Sequence, residues 1–364
     1  MLHTVCANVM TVIFLAKIFS QRNIGDDVTC RASTTKNNIH TNNICNCKNF
    51  ETQAICNFTY NKEVKAMKRD QFIAKDGTKL ALYVWDEVQK PKAVIKIAHG
   101  MAEHSARYDD FAKYLNKNGF VVVANDHRGH GNSAVDGKLG CHQGDMFEGN
   151  VSDQKEIVTW CKKTYKLPTF LFGHSYGSFI TQAVMVQGLD VQGYVLCGSN
   201  YMKGISYSLC GLIANSLVKR RGADYPAKTI ADLSFGMYEK KFEGKNAWLN
   251  RKQEEVDKYN EDPWCGFVCS AGFYKSFMKG INQLYTKDAQ KSIDVKKPLL
   301  IISGAEDPVG ENSKGVKKLI KFYEKVGVKK IENHVYGGAR HEILNEINKD
   351  EVYFDVVAWL NAIV

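Results

Sequence analysis

The ten residues from Thr169 to Ser178 constrain the fold more than any other part of the chain. A short apolar run, Phe170 to Phe172, meets Gly173-His174-Ser175-Tyr176-Gly177, a G-x-S-x-G pattern, and a helix-compatible run follows from Ser178 to Val186. Strand, sharp turn and helix is the context in which that pattern forms a nucleophile elbow. The turn strains its central residue and leaves no room for a Cβ two positions away on either side, a requirement that Gly173 and Gly177 meet. Such a turn would stand Ser175 at the carboxyl end of its strand and aim the backbone N–H of Tyr176, at the helix start, at a developing oxyanion. With 29 glycines in the chain a pentapeptide of this kind can also arise by chance, so the reading depends on partners elsewhere.

The surrounding sequence supplies the frame. From Lys65 strand and helix signals alternate, the pattern of a mostly parallel sheet covered on both faces. Asp76-Gly77 turns between strand-like runs Arg69–Ala74 and Lys79–Val88, an antiparallel hairpin at the sheet edge. Further strands are expected at Ala93–Ala98, Phe120–Ala124, Gly193–Cys197, Pro298–Ser303 and Lys330–Tyr336, with a helix near Val151–Tyr165 and an amphipathic helix closing the chain. Residues 65–199 and 293–364 therefore read as an α/β core, and the aromatic-rich residues 200–292, which interrupt the alternation, as a mainly helical cap or lid.

Residues 1–64 differ in kind: they are rich in Asn and Thr, hold five of the eleven cysteines and show little hydrophobic periodicity, the composition of a poorly ordered leader. The apolar run Val9–Ala16 is too short to span a bilayer, which favours a cytoplasmic location and leaves secretion or export as the alternative; the sequons at Asn57 and Asn150 matter only in that case. The formal charge of +10 is spread as lysine through many segments, a poor match to a nucleic-acid surface, while transient contact with an anionic membrane surface stays open. Cys45-x-Cys47 and Cys265-x3-Cys269 lack partner pairs at zinc-ligand spacing, so no metal site is expected.

An elbow serine needs a base and an orienting acid, which in this architecture follow in the order Ser, acid, His in loops after later strands. The loop after Ser303 carries Glu306 and Asp307, and the loop after Tyr336 carries His341. Asp307 is preferred because Pro308 fixes a turn that can aim its carboxylate. The second oxyanion donor is expected at the N–H of Met101, after the turn that Gly100 permits. His99, His104, His127 and His130 lack a carboxylate set at ligand spacing and read as structural hydrogen-bonding residues.

The segments His99–Tyr108, Asp126–Ser133, Gly173–Gly177, Gly304–Val309 and Ala339–Glu346 together resemble the monoglyceride lipase and lysophospholipase branch of the α/β-hydrolase family, over about residues 68–364. The cap segments Trp248–Asp257 and Asp262–Phe267 are similar to lysophospholipase-like members, and the Asn-rich leader resembles those of malaria-parasite members. The resemblance implies Ser175 as nucleophile, Asp307 as orienting acid, His341 as base, and Met101 and Tyr176 as oxyanion donors. It also implies a monomer that cleaves a small-molecule acyl ester without a cofactor. The sequence departs from the pattern at Tyr176, where Met is common, and at Ser178, where Gly is common, so a bulky phenol is expected beside the nucleophile. An amidase or peptidase using the same triad and a non-catalytic binding module on the same fold are the competing readings.

Overall fold

Eight strands, β1 (Lys68–Ile73), β2 (Lys79–Trp85), β3 (Ala93–Ala98), β4 (Phe120–Asn125), β5 (Thr169–His174), β6 (Tyr194–Cys197), β7 (Leu299–Gly304) and β8 (Ile331–Tyr336), form one sheet in the order β1-β2-β4-β3-β5-β6-β7-β8. The β1–β2 hairpin and the β2–β4 pair are antiparallel, and all remaining pairs are parallel. The computed structural model describes residues 67–364. The leader, its apolar run and the sequon at Asn57 lie outside the described residues.

Strands β3 to β7 are buried on both faces, which is why they read as unbroken apolar runs. On one face Leu171, Leu196, Leu299 and Ile301 pack with the helices α2 (Met146–Tyr165), α3 (Tyr176–Gln187) and α9 (Lys314–Val326). On the other, Ile95, Ile97, Phe170, Phe172, Leu300 and Ile302 pack with α1 (Asp109–Lys117) and α10 (Lys349–Asn361). Each such side chain contributes roughly 1.5–3 kcal/mol by leaving water. The edge strand β1, by contrast, is exposed at five of its six positions and carries Lys68, Arg69 and Asp70, charges that discourage edge-to-edge pairing.

One charge sits inside this apolar frame. Lys96 on β3 is fully buried, and its Nζ donates to Ile97 O (2.7 Å), Asn125 Oδ1 (2.8 Å) and Gln154 Oε1 (2.8 Å). Burial lowers its pKa to about 7, whereas three acceptors around one nitrogen match the three protons of the ammonium form.

Two boundaries differ from the sequence reading by three residues or more. Helix α2 begins at Met146, five residues before the expected start, because the Asp145 carboxylate accepts the Glu148 N–H (3.1 Å) as an N-cap. Strand β2 ends at Trp85, where its pairing with β4 ends, so Val88 lies beyond it. Between β6 and β7 the chain forms α4 (Ile205–Arg221), α5 (Lys228–Glu239), α6 (Gln253–Glu261), α7 (Ala271–Leu284) and α8 (Lys287–Ser292), the mainly helical insertion. Phe273 and Phe277 of α7 join the core cluster beneath them, which anchors the insertion on α2 and α3. Among the described residues no helix is long and apolar enough to cross a membrane.

Candidate active site

The carboxyl ends of β3, β5, β7 and β8 converge, as expected of ligand sites on open parallel sheets. At the end of β5, Ser175 adopts φ 51° and ψ −118°, a conformation that is strained for any residue with a side chain. The strain is enforced by packing. A Cβ on Gly173 would lie 2.3 Å from Gly177 O, and one on Gly177 would lie 2.1 Å from Ala98 O, so only glycine fits either position. The Ser175 N–H donates to Cys197 O (2.9 Å), tying the turn to β6.

Past β7 the two candidate acids separate by burial. Asp307 is fully buried while Glu306 is exposed. Asp307 Oδ1 accepts the Val309 N–H (2.8 Å) and lies 3.0 Å from His341 Nδ1. His341, after β8, is itself buried. Burial opposes its charged form, but the Asp307 carboxylate outweighs burial through charge and hydrogen bond, with Glu342 and Glu103 adding, and raises its pKa above the ordinary histidine value. Asp307 thus pairs with His341, and His341 and Ser175 border the same cavity.

The N–H groups of Met101 and Tyr176 donate to no other described residue, so both are free for an incoming oxygen. The peptide that carries the Met101 N–H is held from behind. Its carbonyl, Gly100 O, is 2.7 Å from His99 Nδ1, and His99 Nε2 accepts the His127 N–H (2.9 Å), which leaves the ring proton on Nδ1 to donate to Gly100 O. Burial drives the pKa of His99 well below its ordinary value and so keeps this neutral tautomer. The preceding Gly100 N–H donates to Glu103 Oε1 (2.5 Å).

Glu103 is the centre of a network that sequence reasoning missed. Its buried carboxylate also accepts from Tyr108 OH (2.8 Å) and Arg107 Nη1 (2.7 Å), and lies 3.3 Å from His174 Nδ1. Arg107 in turn holds Glu342 through two bonds of 2.6 and 2.8 Å. The His174 ring sits against the His341 ring, centroids 4.9 Å apart, so the network reaches both the elbow and the base. The spacing Glu103-x3-Arg107 inside one of the family-like segments was the available signal.

Two expectations need revision. The Tyr176 phenol does not flank the nucleophile: its ring packs against Phe147, Phe273 and Phe277, and its hydroxyl accepts from Asn150 Nδ2 (3.2 Å). Asn150 is fully buried, with its Oδ1 accepting the Arg128 N–H (2.9 Å), so that sequon is no surface acceptor. His99, His127 and His130 bond to backbone partners, and His104 bonds to the Asp262 carboxylate at 2.8 Å, a long-range partner that local spacing could not reveal.

A cavity of about 310 Å³ opens at Ser175 and His341. Met101, Phe235, Trp248, Leu249 and Phe267 give it apolar walls, and Glu103, Lys228, Asp232, Glu239, Lys245 and Glu342 are its charged residues. The Trp248 ring lies 5.2 Å from that of His341.

Fold and site together define the class, an α/β-hydrolase enzyme with a helical insertion over its strand ends. Residues 89–348 match the family described as Serine aminopeptidase, S33, and the chain belongs to that family. It is similar to the monoglyceride lipase of Rattus norvegicus, 27% identical over 284 residues that cover 75% of this chain and 86% of that one. Similarity to the monoacylglycerol lipase of Mycolicibacterium smegmatis is 28% over 300 residues, covering 79% and 95%. Among solved structures, a thermostable carboxyl esterase from Bacillus coagulans in complex with glycerol superposes with a TM-score of 0.74 at 27% identity, over 82% of this chain and 99% of that chain.

Proposed function

We propose that the protein hydrolyses single-chain carboxylic esters, lysophospholipids or monoacylglycerols, through Ser175, His341 and Asp307. His341 takes the Ser175 hydroxyl proton as Oγ attacks the ester carbonyl, and the Met101 and Tyr176 N–H groups receive the oxyanion. Collapse expels the alcohol, to which the imidazolium gives its proton, and water activated by the same base then clears the acyl-enzyme. Asp307 keeps the His341 proton on Nδ1 throughout. The observation that carries this reading is the buried Asp307–His341 pair, 3.0 Å apart, whose histidine borders with the elbow serine one apolar-walled cavity.

The names of the relatives support the ester class, since they are monoglyceride and monoacylglycerol lipases and a carboxyl esterase. The lysophospholipid alternative, and with it a likeness to malaria-parasite members such as the prodrug activation and resistance esterase, rests on the cap segments Trp248–Asp257 and Asp262–Phe267. Residues 200–292 act as the lid in this reading, on a monomeric enzyme that touches membranes transiently to collect substrate. The family description favours a second reading, an aminopeptidase with the same triad. The decisive experiment compares p-nitrophenyl esters, lysophospholipids, monoacylglycerols and aminoacyl amides on the full chain and on Ser175→Ala. Ester turnover should fall on the order of 10^6-fold in the variant, with fluorophosphonate labelling lost. Retained labelling in folded Ser175→Ala sinks the assignment, and turnover of amides alone replaces the esterase with the peptidase.

A further inference from the structure

Outside the cavity, one group of side chains combines three ligand chemistries. His104 follows β3 on the same loop as Met101, while Asp262 and Cys265 lie just past α6. One atom from each side chain lies within 4.8 Å of the other two. Asp262 and Cys265 stand three apart in a turn closed by the Cys265 N–H on Asp262 O (3.0 Å), the spacing that zinc-binding turns use for two ligands. The carboxylate is already oriented: the Trp264 N–H holds Oδ1 (2.8 Å) and turns Oδ2 toward His104. Such outer support of a ligand carboxylate is typical of metal sites. Asp262 and Cys265 are partly exposed, which leaves an entry path.

Charge favours a dication here. Arg107, the guanidinium beside the group, faces Glu103 and Glu342, and with Asp262 the carboxylates outnumber it three to one. A tetrahedral ion with nitrogen, oxygen and sulfur ligands needs donor atoms roughly 3.5 Å apart, so small side-chain shifts close the group around it. The mixed donor set suits a borderline-soft ion and not magnesium or calcium, which prefer oxygen alone.

We propose that His104, Asp262 and Cys265 form a Zn²⁺ site that clamps the Met101 loop to the helical insertion. On binding, the Cys265 S–H bond breaks and its proton passes to solvent as the sulfur–zinc bond forms. His104 binds through Nε2 as the neutral ring with its proton on Nδ1, a buried nitrogen without a partner among the described residues, and water fills the fourth position. The clamp reinforces a junction already present, since Ala102 O accepts both the Gly266 N–H (2.9 Å) and the Tyr259 hydroxyl (3.0 Å). Nothing in this site depends on the chemistry of Ser175.

The test uses full-length, chelator-stripped protein titrated with Zn²⁺ and with Co²⁺, because other cysteines in the chain can also take metal. Wild type should bind one equivalent more than Cys265→Ser or Asp262→Asn. Its cobalt form should show a thiolate charge-transfer band that Cys265→Ser reduces, and its melting temperature should rise with Zn²⁺ by more than that of either variant. In chelator, Cys265→Ser should keep wild-type ester turnover within about twofold. Equal stoichiometry and equal melting shifts in wild type and both variants would place the metal elsewhere and overturn the proposal. A site that survives Asp262→Asn unchanged would overturn it as well. Either failure leaves the esterase reading untouched.

Discussion

Replacing Glu103 by Gln tests whether the network behind the oxyanion loop positions the reacting groups or only fills space. The carboxylate accepts from the Gly100 N–H, Tyr108 OH and Arg107, and lies beside His174. Glutamine keeps one acceptor oxygen, which suits the Gly100 and Tyr108 side, but turns an NH2 donor toward the Arg107 guanidinium. Arg107 retains its two bonds to Glu342, so the folding cost should be that of one charge-assisted bond, about 1.5–3 kcal/mol. At the site, the Gly100 N–H would pass from a charged to a neutral acceptor, a loss of about 1.4 kcal/mol in restraint, or tenfold in rate. Complete loss of an oxyanion donor, about 10^2–10^3-fold, is the ceiling. We therefore expect kcat for a p-nitrophenyl ester to fall about tenfold with KM changed by less than about threefold, because the restrained N–H is needed chiefly in the transition state. Thermal unfolding should show the folding cost separately. A folded Glu103→Gln protein with wild-type kcat would refute the positioning argument. Acid provides a second view: burial alone would raise the Glu103 pKa, but the His174 hydrogen bond and the Arg107 charge hold it well below the usual carboxylate range. Its stabilisation should be present above the unfolded carboxylate pKa near 4.3 and be lost as pH falls toward the depressed folded value, a loss that Glu103→Gln lacks.

Three further outcomes follow from the site. Asp307→Asn should lose about 10^4 in kcat through the wrong His341 tautomer, while exposed Glu306→Gln stays within severalfold; reversed ranks would reassign the acid. Because the base acts unprotonated and Asp307 raises its pKa, the acid limb of kcat/KM should have its midpoint above the ordinary histidine value of about 6.5, and a midpoint at or below that value would contradict the pairing. Across straight-chain esters kcat/KM should climb by up to about fourfold per methylene, from about 0.8 kcal/mol each, and then break when the cavity is full, whereas a flat profile would mean that Phe235, Trp248 and Phe267 do not touch the acyl chain.

The legible parts of this protein were those written in local pattern. The strand–turn–helix around Ser175 is a sterically determined unit, and the order Ser175, Asp307, His341 follows from a topology that places each at a strand end. Pro308 marked the turn that distinguishes Asp307 from its neighbour. What stayed hidden depends on contacts between distant segments. Arg107 and Glu342 meet across 235 positions and His104 and Asp262 across 158, and no periodicity encodes such pairs. The direction of the Tyr176 side chain was equally invisible, because a residue at a helix start can face cavity or core, and here Phe147, Phe273 and Phe277 decide for the core. The α2 start was readable in Asp145 and Glu148 but was obscured by the weakly apolar first turns.

Lys96 has a consequence for how the sheet assembles. Its strand, Ala93–Ala98, is otherwise a run of small and branched apolar residues that could pair with β4 in more than one alignment at similar cost. A slip of one position would swing the ammonium to the opposite face, and a slip of two would carry it about 6.6 Å from Asn125 and Gln154. Either error strands an unsolvated cation among aliphatic side chains, a penalty of several kcal/mol that the correct alignment avoids. The lysine therefore works as a locating pin: it adds little to the depth of the native state but raises the energy of near-misses, so that β3 and β5 stop in the alignment that brings Met101 and Ser175 to the same rim.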